Sequence, residues 1–171
     1  MKRPRAFTLV ELITAMTVTA TVSITAVAVL REGVDASRGV LDRAAATHRA
    51  SAALRRIVDE LREVPAADDG PDITLLTPTR IAWGEGNELR LDGTDLVLVS
   101  AAAGEAVLCT GCTAFRVAGV AANGAEVTAS PAAPEIAAIT RLVVELSVRE
   151  GAEISSLRTR VFPRALTQEV Q

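Results

Sequence analysis

Hydrophobic positions fall into three successive patterns along this chain. From Phe7 to Leu30 they form a nearly unbroken run in which Glu11 is the only charge. As a helix rising about 1.5 Å per residue the run reaches roughly 36 Å, enough for a bilayer core of about 30 Å. From Arg31 to Val64 there is no proline, and Ala, Arg, Leu and Glu dominate, so the helix is predicted to continue. Leu54, Ile57, Val58, Leu61 and Val64 recur there at three- and four-residue steps, with Arg55, Arg56, Asp59, Glu60, Arg62 and Glu63 between them. That spacing predicts an apolar face suited to packing on a sheet. Gly33 and Gly39 interrupt the segment, each costing about 1 kcal/mol relative to Ala; they read either as bending points or as two tolerated exposed glycines.

Pro65 and the run Ala66-Ala67-Asp68-Asp69-Gly70-Pro71 stop the helix in a polar turn. Beyond it the period shortens to two. Ile73–Leu76, Arg80–Trp83, Glu88–Leu91, Leu96–Ser100, Ala106–Cys109, Ala114–Val120 and Ala125–Thr128 read as strands, with Asp92-Gly93-Thr94-Asp95 a hairpin signal and Asn123-Gly124 a turn. Ile139–Arg149 alternates, placing Leu142, Val144, Leu146 and Val148 on one face, and after Glu150-Gly151 the chain returns as Ile154–Phe162. A helix laid on a largely antiparallel sheet is the economical solution, an α+β fold with a lollipop outline. The expected organisation is a basic leader at 1–6, a membrane helix at 7–30, its amphipathic continuation at 31–64 and a β-rich head at 65–171.

Composition narrows the function. The 171 residues carry a net charge of -3, and their basic residues cluster only at Lys2, Arg3 and Arg5, so no nucleic-acid partner is expected. Aromatic side chains are limited to Phe7, Trp83, Phe115 and Phe162, too few for base-stacking platforms or aromatic cages, and Trp83 reads as a core or rim residue. The positive start ahead of the apolar run places the N-terminus in the cytoplasm and everything after Leu30 on the far side. Ala26-Val27-Ala28 is a passable site for a cleaved secretory signal, but the run is too long for such a signal and holds a carboxylate. An acid costs roughly 2.5–3.5 kcal/mol at the centre of a membrane helix, less near its end, and persists where something pairs with it.

The residues Arg5-Ala6 and Phe7-Thr8-Leu9-Val10-Glu11-Leu12, read as RA/FTLVEL, resemble the type IV prepilin signal shared by pilins, minor pilins and the pseudopilins of type II secretion. The resemblance implies cleavage between Ala6 and Phe7 by prepilin peptidase, followed by methylation of the Phe7 amine; Ala6 stands where the family usually has Gly. It also implies that Glu11, fifth from the cut, meets the N-terminal amine of a neighbouring subunit. With Phe7 as first helical residue, Glu11 lies in or just beyond the first turn, where the helix dipole favours a negative charge. The implied partners are other pilin-like subunits, the peptidase and an inner-membrane assembly platform. The segments Leu54–Leu61 and Leu157–Arg164 are loosely similar to minor pilins and J-type pseudopilins.

On a helical wheel Glu11, Thr14, Thr17, Thr21 and Thr25 share an arc of about 120°. Such a stripe either packs against other helices, or its hydroxyls bond back to their own helix. Cys109-Thr110-Gly111-Cys112 is a CxxC between two predicted strands, unlike the strand-to-helix setting of redox pairs, and reads best as a local disulfide contributing roughly 2 kcal/mol. His48 is the only histidine, far from the cysteines in sequence, so no metal site is expected. Asp68, Asp69 and Asp72 read as a solvated turn rather than a calcium site. No nucleophile, base and orienting group assemble, and neither enzyme activity nor a cofactor is expected. The contrasting reading is a single-pass anchored binding or redox module that never assembles, with the CxxC as its working part.

Overall fold

Proline is absent between Pro4 and Pro65, and one α-helix, α1 (Leu9–Arg62), occupies most of that interval in the computed structural model. The structure describes residues 8–67, 70–127 and 133–164. The chain divides into two units, 1–41 and 42–171. In the first, no described residue is buried, and Leu9, Ile24 and Leu30 are at least two-thirds exposed. An ideal Cβ on Gly33 or Gly39 would meet nothing within 4 Å, so neither glycine makes room for a neighbour among the described residues.

The second unit begins with the remainder of α1, whose buried residues are Ala46, Ala50, Ala53, Ile57 and Leu61. Ile57, Leu61 and Val64 bury as the periodicity predicts, whereas Leu54 and Val58 are only partly buried, and the stripe runs back through three alanines. The helix ends at Arg62, slightly before the predicted Val64. Glu63 N–H donates to Glu60 O at 3.1 Å, tightening the final turn, and Pro65 disfavours helical geometry for the residue ahead of it.

The chain then forms β1 (Ala66–Ala67) and β2 (Gly70–Pro71), a two-stranded ribbon within the predicted turn. Five strands follow: β3 (Ile73–Thr77), β4 (Arg80–Trp83), β5 (Asn87–Asp92), β6 (Asp95–Ser100) and β7 (Gly104–Cys109). They form a meander in chain order, and Asp92 pairs with Asp95 around the predicted hairpin. The rest comprises β8 (Cys112–Ala121), β9 (Glu126–Val127), the short helix α2 (Ala133–Ala137), β10 (Ile139–Glu150) and β11 (Glu153–Val161). These four strands lie in the order β11-β10-β8-β9. Every pairing is antiparallel, as the α+β reading expects, but the main strands divide into two sheets rather than one. Thr128, the last residue of the predicted strand Ala125–Thr128, lies outside the described residues.

Both sheets and α1 contribute to one core. Ile57 and Leu61 from the helix, Leu76, Ile81, Trp83, Leu89 and Leu96 from the first sheet, and Phe115, Val117, Leu142, Val144 and Leu146 from the second belong to a single buried cluster. The alternation predicted for β10 is what turns Leu142, Val144, Leu146 and Val148 inward. At the tip of the last hairpin, Gly151 has φ +56, a conformation that favours glycine, and the Asp42 carboxylate of the helix lies against it. Arg43 Nη2 pairs with Glu153 Oε2 at 3.0 Å, the Thr47 and Ser155 hydroxyls are 3.0 Å apart, and Arg49 pairs with Glu150.

The first sheet also carries a line of charge. Arg80 and Arg90 are directly cross-strand neighbours, which would repel; Glu88 lies between them, 2.7 Å from Arg80 and 3.4 Å from Arg90, and Arg90 reaches Glu105 at 3.3 Å. Burial raises the Glu88 pKa, but its bonds to Arg80 and Arg90 outweigh this and hold the carboxyl below its ordinary 4.5.

Candidate functional site: the helix start and the CxxC turn

Thr8 precedes the first helical residue and acts as its N-cap. Its backbone N–H donates to Glu11 Oε2 at 3.1 Å, its hydroxyl donates to the same oxygen at 3.2 Å, and Glu11 N–H donates back to Thr8 Oγ1 at 3.3 Å. This is a capping box, Thr-x-x-Glu, in which two side chains reciprocally satisfy backbone donors left open by a helix start. Among the described residues the helix begins at Leu9, and Glu11 is its third residue. The T-x-x-E spacing is visible in the sequence, but the unbroken apolar run does not mark a helix start there. Both Thr8 bonds end on Oε2, so Oε1 accepts none among the described residues. Ala6 and Phe7, the residues flanking the expected cut, lie outside the described residues, as does the leader.

The threonine stripe behaves as the back-bonding alternative describes. Thr14 Oγ1 donates to Val10 O at 2.9 Å, Thr17 to Thr14 O at 2.9 Å, Thr21 to Thr17 O at 2.8 Å and Thr25 to Val22 O at 2.9 Å. Thr19 and Ser23, outside the stripe, do the same toward Ala15 and Thr19. The hydroxyl protons are thus used within the helix, leaving oxygen lone pairs and small side chains as what the stripe offers a neighbour.

Cys109 and Cys112 are the last residue of β7 and the first of β8. Both are buried free thiols here, not the expected disulfide. Cys109 S–H donates to Thr110 O at 3.4 Å and Cys112 S–H to Cys109 O at 3.7 Å. Burial, then the adjoining Cys109 thiol, push the Cys112 thiol up to about 12. Redox-catalytic cysteines need the opposite shift, because the thiolate is the reacting form. His48 is exposed on α1, beside a surface groove that also reaches Cys109. Trp83 is a core residue. Asp68 and Asp69 lie outside the described residues, while the Asp72 backbone takes part in the turn, its N–H donating to Pro65 O at 2.9 Å.

α1 is long and apolar enough to cross a membrane, and the apolar window that qualifies it has no burial within the chain. Residues 1–27 match the family described as the prokaryotic N-terminal methylation motif. No curated protein and no solved structure matches the chain significantly. The methylation-motif match falls on the N-terminal segment whose apolar helix opens with the Thr8–Glu11 cap, and it is consistent with a type IV prepilin-like protein.

Proposed function

We propose that this chain is a minor pilin or pseudopilin that enters or primes a type IV pilus or type II secretion filament. Residues 1–6 are the leader that prepilin peptidase removes at the Ala6–Phe7 bond, and the Phe7 amine is then methylated. Residues 7–30 anchor the chain in the inner membrane with its N-terminus in the cytoplasm; 31–64 continue the helix to the head, 65–171. The observation that carries the reading is the motif at residues 1–27, coincident with a helix whose described apolar side chains up to Leu41 are exposed among the described residues. In lipid or among like helices those side chains are satisfied, and the assembly platform is where the exchange of one for the other takes place. Glu11 contributes the charge: Oε2 closes its own helix cap, and Oε1 receives the ammonium of a neighbouring subunit. Thr14, Thr17, Thr21 and Thr25 form the face on which neighbouring helices approach.

Two measurements test this. The intact mass of membrane-extracted protein shows loss of residues 1–6 and one added methyl group on Phe7; an uncut chain, or one beginning at Glu32, refutes it. Glu11→Gln separates the two tasks of this side chain, because the amide oxygen still accepts from Thr8 but has no charge to offer an amine. The variant is expected to keep its helix start and folded head yet fail to enter filaments. Wild-type incorporation of Glu11→Gln would leave the carboxylate with a capping role alone.

A further inference from the structure

Among the described residues the chain passes once from the five-stranded to the four-stranded sheet, and Thr110 and Gly111 are the only residues between the two strands it joins. Both sides of this crossing are irregular at the cysteines. Cys109 pairs with Leu96 beside a register shift at Leu96/Val97, and Cys112 pairs with Val148 beside one at Ser147/Val148. The backbone is nevertheless held from both sheets: Cys112 N–H donates to Thr94 O at 2.8 Å, and Arg149 N–H donates to Gly111 O at 2.9 Å. Gly111 has φ +72, and a Cβ on it would stand 3.0 Å from Arg149 O, so the turn fits only with glycine between the cysteines. The corner is thereby built before any covalent bond forms, with the Cys112 sulfur 3.7 Å from Cys109 O.

The two thiols differ in access. A surface groove of about 290 Å³, with His48 and Arg49 of α1 on one side and Val107 and Leu108 of β7 on the other, opens onto Cys109. Cys112 does not line it; both residues are buried, Cys109 at 6% and Cys112 at 2% exposure, so it is the groove and not bulk exposure that distinguishes Cys109.

We propose that Cys109 and Cys112 become a disulfide that locks the crossing between the two sheets, with Cys109 as the entry thiol and Cys112 as the resolving one. The oxidant is a disulfide donor, R–S–S–R, that reaches Cys109 through the groove. The Cys109 thiolate attacks one donor sulfur, the donor S–S bond breaks, and R–S⁻ leaves and takes up a proton. Cys112 then loses its proton, its thiolate attacks the Cys109 sulfur of the mixed disulfide, and the second R–S⁻ is expelled and protonated. The cysteines lose two electrons and two protons, and the donor gains both as two thiols. The bond closes a short loop between strands already in place, so it removes freedom from the unfolded chain more than it reshapes the fold. Formation in the cell rests on the proposed placement of the head outside the cytoplasm; the chemistry of the pair does not.

The test uses purified full-length chain in detergent, reduced and then exposed to oxidised glutathione. The expected product has lost two hydrogens by intact mass, has no thiol open to iodoacetamide after unfolding, and melts about 5 °C above the reduced form. Digestion of samples quenched early should find glutathione on Cys109 and not on Cys112, and Cys112→Ser should accumulate that adduct. Thiols that remain alkylatable when the glutathione-treated chain is unfolded overturn the disulfide, and an adduct that appears first on Cys112 overturns the order. A pair found reduced in cell-derived protein but readily oxidised by glutathione supports this chemistry while counting against the proposed placement of the head.

Discussion

The two parts of α1 are built from similar residues and solve opposite problems. Up to Leu41 the apolar side chains lie all around the helix and none is buried, whereas from Asp42 onward one stripe, Ala46, Ala50, Ala53, Ile57 and Leu61, is buried, flanked by the partly buried Leu54 and Val58, and most of the rest is charged or exposed. Width of the apolar surface separates them. A helix apolar on every side needs lipid or other helices for a solvent, while a helix apolar along one stripe is satisfied by a sheet. The described residues leave the first part exposed and cover one stripe of the second.

The largest expected effect breaks the second part. Leu61→Ala removes a fully buried side chain from the core shared by helix and sheets, and should cost the head about 2–5 kcal/mol in urea unfolding. Ile24→Ala, truncating a 71% exposed side chain in the first part, should leave that midpoint unchanged; if both variants shift it equally, the division is wrong. A smaller effect belongs to the cap: Thr8→Ala should destabilise the first turn by about 1 kcal/mol, seen as faster amide exchange at residues 9–12 with the head unaffected. Gly33→Ala should act in the opposite direction, slowing exchange around residue 33 through a gain of about 0.5–1 kcal/mol, since no neighbour opposes the new methyl.

The smallest effect is electrostatic and confined to the head. Because the folded-state pKa of Glu88 lies below its ordinary 4.5, its stabilising contribution is present above that value and is lost as pH falls through the folded pKa. Urea midpoints measured from neutral to acid pH should fall on the acid side in wild type, and Glu88→Gln should flatten that limb. An identical limb in the variant would assign acid sensitivity to other carboxylates.

These expectations draw on features of unequal legibility. The membrane-length run, the Asp92–Asp95 hairpin and the alternation in β10 were readable because each is a local pattern with its own period. The division into two sheets was not, since nothing in the alternation of β7 or β8 says which neighbour each will pair with. The helix face was only half visible: Ala46, Ala50 and Ala53 are buried by how closely the head approaches, and alanine carries too little hydrophobic signal to announce that. α2 spans five residues, too short for helical periodicity, although Pro134 and Glu135 suit a helix start. At the functional end, Glu11 stands out as a charge in an apolar run, whereas its bond to Thr8 depends on a helix start that the unbroken apolar run does not mark. The CxxC was plain as a motif, while its position at the sole described crossing between sheets, which gives it meaning, belongs to topology.

The contacts at the last hairpin have a mechanical consequence. Arg43, Thr47 and Arg49 hold Glu153, Ser155 and Glu150 at the turn between β10 and β11, and Asp42 rests on Gly151 there. Each exposed ion pair contributes little to equilibrium stability. They are, however, the first side-chain links that tension arriving along α1 from its N-terminal end would load. The force would enter β10 through Glu150 and the edge strand β11 through Glu153 and Ser155, and so be shared between the two strands of the hairpin instead of falling on one.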